Sequence, residues 1–237
     1  MMVFFDVDGT LLDHKSAEFA GVKLFYQNYR NFFNMDFNEF YSLWCKISEK
    51  HFERYLAKEC SFEEQRIERI KELYLERNID LSSEEALKVF GYYLRNYELS
   101  WKPFNDVIPC LKKISKLKMG IISNGDLEQQ KLKLDKMKIS HYFVDVVAAG
   151  EFNVSKPCTE IFEIACKRNG EEPEKCFYVG DTVETDIIPC GKIGMKGIWI
   201  NRDNKTLPNK NIKIIASLKK LSNVLYESMP QLYESIS

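Results

Sequence analysis

The sequence predicts an α/β fold, a parallel sheet covered by helices on both faces and interrupted once by an all-helical insertion. In the second half of the chain, short apolar runs of strand length alternate with helix-like stretches. Between the first and second runs, only helical periodicity is present. Acidic and small polar clusters follow directly on several runs, at the position where open α/β sheets bind ligands.

In chain order, the first strand is predicted over Met2–Val7, apolar up to Asp6. The insertion follows over residues 14–102, leaving 1–13 and 103–237 for the sheet domain. Within it, Phe37, Phe40, Tyr41, Trp44, Ile47, His51, Phe52, Tyr55 and Leu56 keep the i, i+3, i+4, i+7 spacing of a buried helix face, and Ala86, Leu87, Phe90, Leu94 and Tyr97 repeat it. Such a stripe is the core of a helical bundle before it is a ligand box. Ser61 and Glu64 have the spacing of a capping box, which starts a further helix there. Pro103 ends helical continuity at the return to the sheet. Four more strands are predicted at Met119–Ser123, Val144–Ala149, Cys176–Val179 and Gly197–Ile200.

Composition narrows the function classes. At 237 residues and 45% apolar content the chain can fill a sizeable core. Its 34 Lys plus Arg against 35 Asp plus Glu leave no basic surplus for extended nucleic acid or an anionic membrane. Seven dispersed cysteines without a CxxC pair read as reduced thiols, the pattern of a cytoplasmic protein rather than of a disulfide framework or zinc site. No apolar stretch approaches the roughly 20 residues of a membrane span.

Chemistry is concentrated in four places. Asp6-Val7-Asp8-Gly9-Thr10 leaves the first strand with two carboxylates directed alike and Val7 pointing into the fold. Ser123-Asn124-Gly125-Asp126 ends the second strand with groups suited to a phosphoryl oxygen, or to a capped helix with Asp126 as cap. Ser155-Lys156-Pro157 supplies one cation ahead of a helix whose first turn would hold Pro157. Finally, Gly180-Asp181-Thr182-Val183-Glu184-Thr185-Asp186 follows an apolar strand. There, Asp181 and Asp186 can converge on a hard cation, although Gly-Asp-Thr alone is also a common helix cap.

In this order and at these separations the four clusters resemble the motifs of the haloacid dehalogenase-like hydrolase superfamily, in the subfamily with a helical cap inserted after the first motif. The resemblance implies a Rossmann-like core and a Mg2+-dependent phosphatase acting on a small phosphate monoester. Asp6 would be the nucleophile, Asp8 the general acid and base, and Lys156 the group that steadies the developing charge. Thr10, Ser123 and Asn124 would bind the phosphoryl group, and Asp6, Asp8 through its main-chain carbonyl, Asp181 and Asp186 the metal. A dehalogenase fits less well, because it has no oxygen leaving group for Asp8 to protonate. A phosphomutase and a non-catalytic phosphate-binding module stand further behind.

Gly120–Gln130 with Ser61–Arg66 also resembles bacterial nucleotidases of pyrimidine nucleoside 5'-monophosphates, which implies a substrate contact from Arg66. The alternative substrates are phosphoglycolate or a sugar phosphate, and the alternative for Arg66 is a surface pair with Glu63. His14, His51 and His141 are read as structural.

Overall fold

The computed structural model describes residues 1–206 and 212–228. The chain separates into two compact units, one comprising Met1–Asp13 and the chain from Lys102 onward, the other His14–Trp101.

The first unit is built on a parallel sheet of β1 (Met2–Phe5), β2 (Lys118–Ser123), β3 (Asp145–Ala148), β4 (Cys176–Gly180), β5 (Lys196–Ile200) and β6 (Lys213–Ile215). Their order is β3-β2-β1-β4-β5-β6, so β1 lies at the centre, in register with β2 through Phe5↔Ile121 and with β4 through Phe5↔Val179. Every residue of β1 is buried, which explains why this strand reads as an unbroken apolar run instead of an alternating one. On one face Met2, Phe4, Ile122, Val147, Phe162, Ala165, Tyr178 and Met195 form a continuous core. This is the Rossmann-like α/β fold expected. β6 was not foreseen: three residues, two of them exposed, give too weak a pattern until β5 supplies the ladder.

The second unit consists of α1 (His14–Tyr29), α2 (Phe37–Leu56), α3 (Phe62–Leu75) and α4 (Ser83–Leu99), with one short 3-10 turn. Capping boxes start three of the helices, from Asp36 with Glu39, Ser61 with Glu64 and Ser82 with Glu85. The predicted stripes need correction at their flanks. Along α4 the buried line is Ala86, Phe90, Tyr93 and Tyr97, whereas Leu87 is 38% exposed and Leu94 half-buried. Each residue turns the helix about 100°, so Leu87 is carried off the line that Ala86 begins. On α2, Phe40, Trp44, Ile47 and His51 are buried, and Phe37, Tyr41, Phe52, Tyr55 and Leu56 only half-buried. His51 is a core histidine bonded to Glu72 at 2.7 Å, and His14 bonds the Tyr97 hydroxyl at 2.8 Å.

The remaining helices cover the sheet: α5 (Val107–Lys113), α6 (Leu127–Lys136), α7 (Ala149–Phe152), α8 (Glu160–Arg168), α9 (Ile188–Lys192) and α10 (Leu221–Ser228). Asp126 caps α6, accepting from the Gln129 N–H at 3.0 Å. Pro157, expected in the first turn of a helix, lies in the turn before α8, which starts only at Glu160. A single π-turn, Val183–Ile187, precedes α9. Among the described residues no helix is long and apolar enough to cross a membrane, and all seven cysteines are free thiols.

Candidate active site

β1, β2 and β4 are neighbours at the centre of the sheet, and all run the same way, so their carboxyl ends bring distant residues together. Asp6 is the first residue past β1, held in register by its N–H to the Val179 carbonyl at 2.9 Å. Ser123 ends β2 and Asp181 follows β4 directly. Gly9 has φ +86°, and a side chain there would strike the Asp181 carboxylate, so only glycine lets the loop after β1 fold this close.

Lys156 enters from the loop between α7 and α8 and is 4% exposed. Its Nζ donates to Asp6 Oδ1 at 2.8 Å, to Asp186 Oδ1 at 2.7 Å and to the Tyr178 hydroxyl at 2.9 Å. Tyr178 OH in turn lies 3.0 Å from the Ile122 carbonyl and 3.2 Å from Asp186 Oδ1, either of which takes its proton. The π-turn returns Asp186 beneath Thr182, whose N–H donates to Asp186 Oδ2 at 3.1 Å. Trp199 on β5 steadies the neighbouring backbone by donating Nε1–H to the Asp181 carbonyl at 2.8 Å.

Asp6, Asp181 and Asp186 each place a carboxylate oxygen within 4.8 Å of the others. Lys156 supplies one positive charge against these three acids, and the electrostatics reflect the deficit. Burial raises the Asp6 carboxyl, Lys156 draws it down, and Asp186, Asp181 and Asp8 push it up again, to about 8. Asp181 is raised by burial and by Asp186 to about 6. Burial alone would lower Lys156, but Asp186 and Asp6 outweigh it and hold the ammonium above the ordinary lysine range. Oxygen-only donors, clustered, two of them buried and one half-buried, and short of positive charge, fit a hard divalent cation.

The other expected site residues are placed as follows. Asn124 uses both ends of its side chain on the Lys156 backbone, Oδ1 accepting from Lys156 N–H at 2.7 Å and Nδ2 donating to its carbonyl at 2.9 Å. What it can still offer a substrate is its main-chain N–H. Thr10 is fully buried; its Oγ1 has no hydrogen-bond partner among the described residues, and its carbonyl accepts from Arg202 at 2.9 Å. The Asp8 carboxylate stands outside the three-acid cluster and is held by Lys133 and Gln130 of α6. In the helical unit the Arg66 guanidinium sits over the Phe62 ring, 4.2 Å from its centroid, and 5.6 Å from that of Phe90.

Lys133, Gln130, Tyr178, Trp199 and Arg69 were not singled out in the sequence. Lys133 and Gln130 look like surface residues of a polar helix, and Tyr178 and Trp199 like core. Arg69 is half-buried, and its Nε has no hydrogen-bond partner among the described residues. Nothing local marks it apart from Arg66.

Known proteins were then compared. N-acylneuraminate-9-phosphatase of Homo sapiens is 29% identical over 248 residues, spanning 99% of this chain and 94% of that protein. Glyceraldehyde 3-phosphate phosphatase of Methanopyrus kandleri is 38% identical over 103 residues, 43% of this chain and 44% of that protein. The pyrimidine 5'-nucleotidase YjjG of Escherichia coli is 33% identical over 92 residues, 38% of this chain and 41% of that protein. The chain thus aligns with under half the length of the Methanopyrus and Escherichia proteins and nearly all of the human one. Among solved structures, the magnesium-bound HAD-hydrolase YfnB of Bacillus subtilis superposes with a TM-score of 0.77 at 20% identity, covering 94% of this chain and 97% of that one. A 2-haloacid dehalogenase of Pseudomonas syringae shares the fold at a TM-score of 0.70 and 21% identity, covering 96% of this chain and 98% of that one. Sharing that fold, and matched over residues 1–194 by the family's own model, the chain belongs to the haloacid dehalogenase-like hydrolase family.

Proposed function

We propose that the chain is a magnesium-dependent phosphatase that hydrolyses a small phosphate monoester through a phosphoaspartyl intermediate on Asp6. A carboxylate oxygen of Asp6 attacks phosphorus while the ester oxygen leaves, and Asp8 gives that oxygen a proton. Asp8 then takes a proton from water as the water oxygen attacks phosphorus, and Asp6 departs as a free carboxylate with inorganic phosphate released. Ser123, the main-chain N–H of Asn124 and Thr10 hold phosphoryl oxygens, and the Lys156 ammonium steadies the charge that spreads over them. Magnesium held by Asp6, Asp181, the Asp8 carbonyl and, alongside, Asp186 would supply further positive charge to the phosphoryl group.

The observation that carries this reading is the separation of two acids two residues apart. Asp6 is buried against Lys156 at 2.8 Å within the cluster, while Asp8 points its carboxylate elsewhere. An acid kept out of the cluster is available to move protons, which an ester leaving group requires and a halide does not. Phosphatase is therefore favoured over dehalogenase, despite the fold shared with dehalogenases.

Burial of the acids gives magnesium a pH signature. Between the ordinary 3.8 of an unfolded aspartate and about 8, native Asp6 keeps a proton that the unfolded chain has lost. Metal-free protein should accordingly lose stability as pH rises through this window, and magnesium, which needs the ionised acids, should restore most at the high end. Melting temperatures with and without magnesium at pH 6 and pH 8 test this. An equal metal-induced shift at both would remove the cluster as its site.

For the substrate, we propose an acidic sugar phosphate before a nucleotide. The relative aligned along nearly its whole length acts, by its name, on an acylneuraminate phosphate. A pyrimidine nucleoside 5'-monophosphate is the second reading, favoured by the match to YjjG and by Arg66 on its aromatic bed. Phosphate release from a sugar-acid phosphate, glyceraldehyde 3-phosphate, phosphoglycolate and UMP, each with magnesium, ranks them.

A further inference from the structure

Lys133 and Gln130 lie one turn apart on α6, so their side chains share a face of the helix. Both are buried, Lys133 at 3% and Gln130 at 0% exposure, although lysine is almost never buried without a partner. The Lys133 ammonium donates to both oxygens of Asp8, at 2.7 Å each. From the same face the Gln130 amide donates to Asp8 Oδ2 at 2.9 Å and to Ser123 Oγ at 2.5 Å.

We propose that Lys133 and Gln130 are positioning residues that aim the Asp8 carboxylate and the Ser123 hydroxyl at the reacting phosphoryl group; this rests on the phosphatase reading above. Two oxygens gripped by three N–H bonds leave the Asp8 carboxylate little freedom to rotate. Ser123 Oγ is similarly constrained. It accepts from Gln130 and, at 3.4 Å, from the Gly125 N–H, so both lone pairs are engaged and its proton is left to donate outward. An outward hydroxyl donor is what a phosphoryl oxygen needs.

Two details show that the arrangement is built at a cost. Gly125 has no side chain, and a Cβ there would strike the Gln130 amide. Gln130 Oε1 is buried with no hydrogen-bond partner among the described residues, an expense the fold carries while the amide's donors serve Asp8 and Ser123. The Asp126 cap, bonded to Gln129 N–H at 3.0 Å, holds the first turn of α6 in the register that directs both residues inward.

The test compares an alkyl phosphate, whose leaving oxygen needs a proton, with p-nitrophenyl phosphate, whose leaving group does not. Misaiming a catalytic group by about 1 Å costs about a hundredfold. Lys133→Met should lower kcat on the alkyl ester about tenfold to a hundredfold with KM within about twofold. Release of nitrophenolate in the first turnover should fall much less, and phosphoenzyme should accumulate in rapid-quench trapping. Lys133→Arg, which keeps the donors and the charge, should recover part of the loss. If Lys133→Met fails to fold, Gln130→Met, which changes no charge, should raise KM for both esters through Ser123 and lower kcat further for the alkyl ester. Equal losses of the first-turnover rate on both esters, or wild-type kinetics, would overturn the proposal. Failure of the underlying reading looks different, because wild-type protein would then release phosphate from neither ester, or Asp8→Asn would show no dependence on the leaving group.

Discussion

Replacing Asp6 with Asn is expected to lower kcat by about three orders of magnitude or more while leaving the protein folded. The amide is nearly isosteric with the carboxylate, so the close packing past β1 survives, but a neutral amide oxygen does not form the acyl phosphate. Residues that act as a unit lose nearly all turnover when the nucleophile goes. Stability should not fall in proportion. Asn removes one acid from a cluster whose burial raises Asp6 to about 8, and Lys156 keeps Asp186 as a partner at 2.7 Å. Steady-state phosphate release, rapid-quench trapping of phosphoenzyme and a melting curve together check the prediction. Turnover near the wild-type rate would end the covalent route, whatever else the site does.

Lys156→Met should damage activity and fold together. The ammonium is the hub for Asp6, Asp186 and Tyr178, all within 2.9 Å, and all three partners are buried. Taking one partner from a buried pair strands the other charges, at about 3–5 kcal/mol. Loss of a donor to the phosphoryl group would cost about a hundredfold to a thousandfold in kcat. Urea denaturation should show the destabilisation most at high pH, where more of the acids ionise, and magnesium should offset part of it. Lys156→Arg is not expected to rescue, because the larger planar guanidinium cannot take the place of a compact ammonium among three close oxygens. A Lys156→Met protein with unchanged stability and activity would place the hub outside the mechanism.

How much of this was legible beforehand differs by residue. Asp6, Asp8, Ser123, Asp181 and Asp186 could be nominated because each lies in a short pattern tied to a strand end, and strand ends on one edge of a parallel sheet converge, whereas Lys156 lay in a short pattern ahead of a helix. The helices of the insertion were legible in outline, since Ser61 with Glu64 is a local device, complete within four residues. Which side of α4 is buried was read less well. A periodicity of 3.6 leaves neighbours such as Ala86 and Leu87 almost equally eligible until other helices pack on one of them.

By itself, then, the sequence determined the α/β class and nominated the acids, both carried by local period, caps and short motifs. Only the tertiary structure decided which of those acids cluster and which stands apart. Asp8 is held away from the cluster by Lys133, which is 125 positions later in the chain, and the Lys156 main chain is clasped by Asn124 across 32. Both pairings depend on strand order and on the register of α6, properties of the packed chain that no window of neighbouring residues contains.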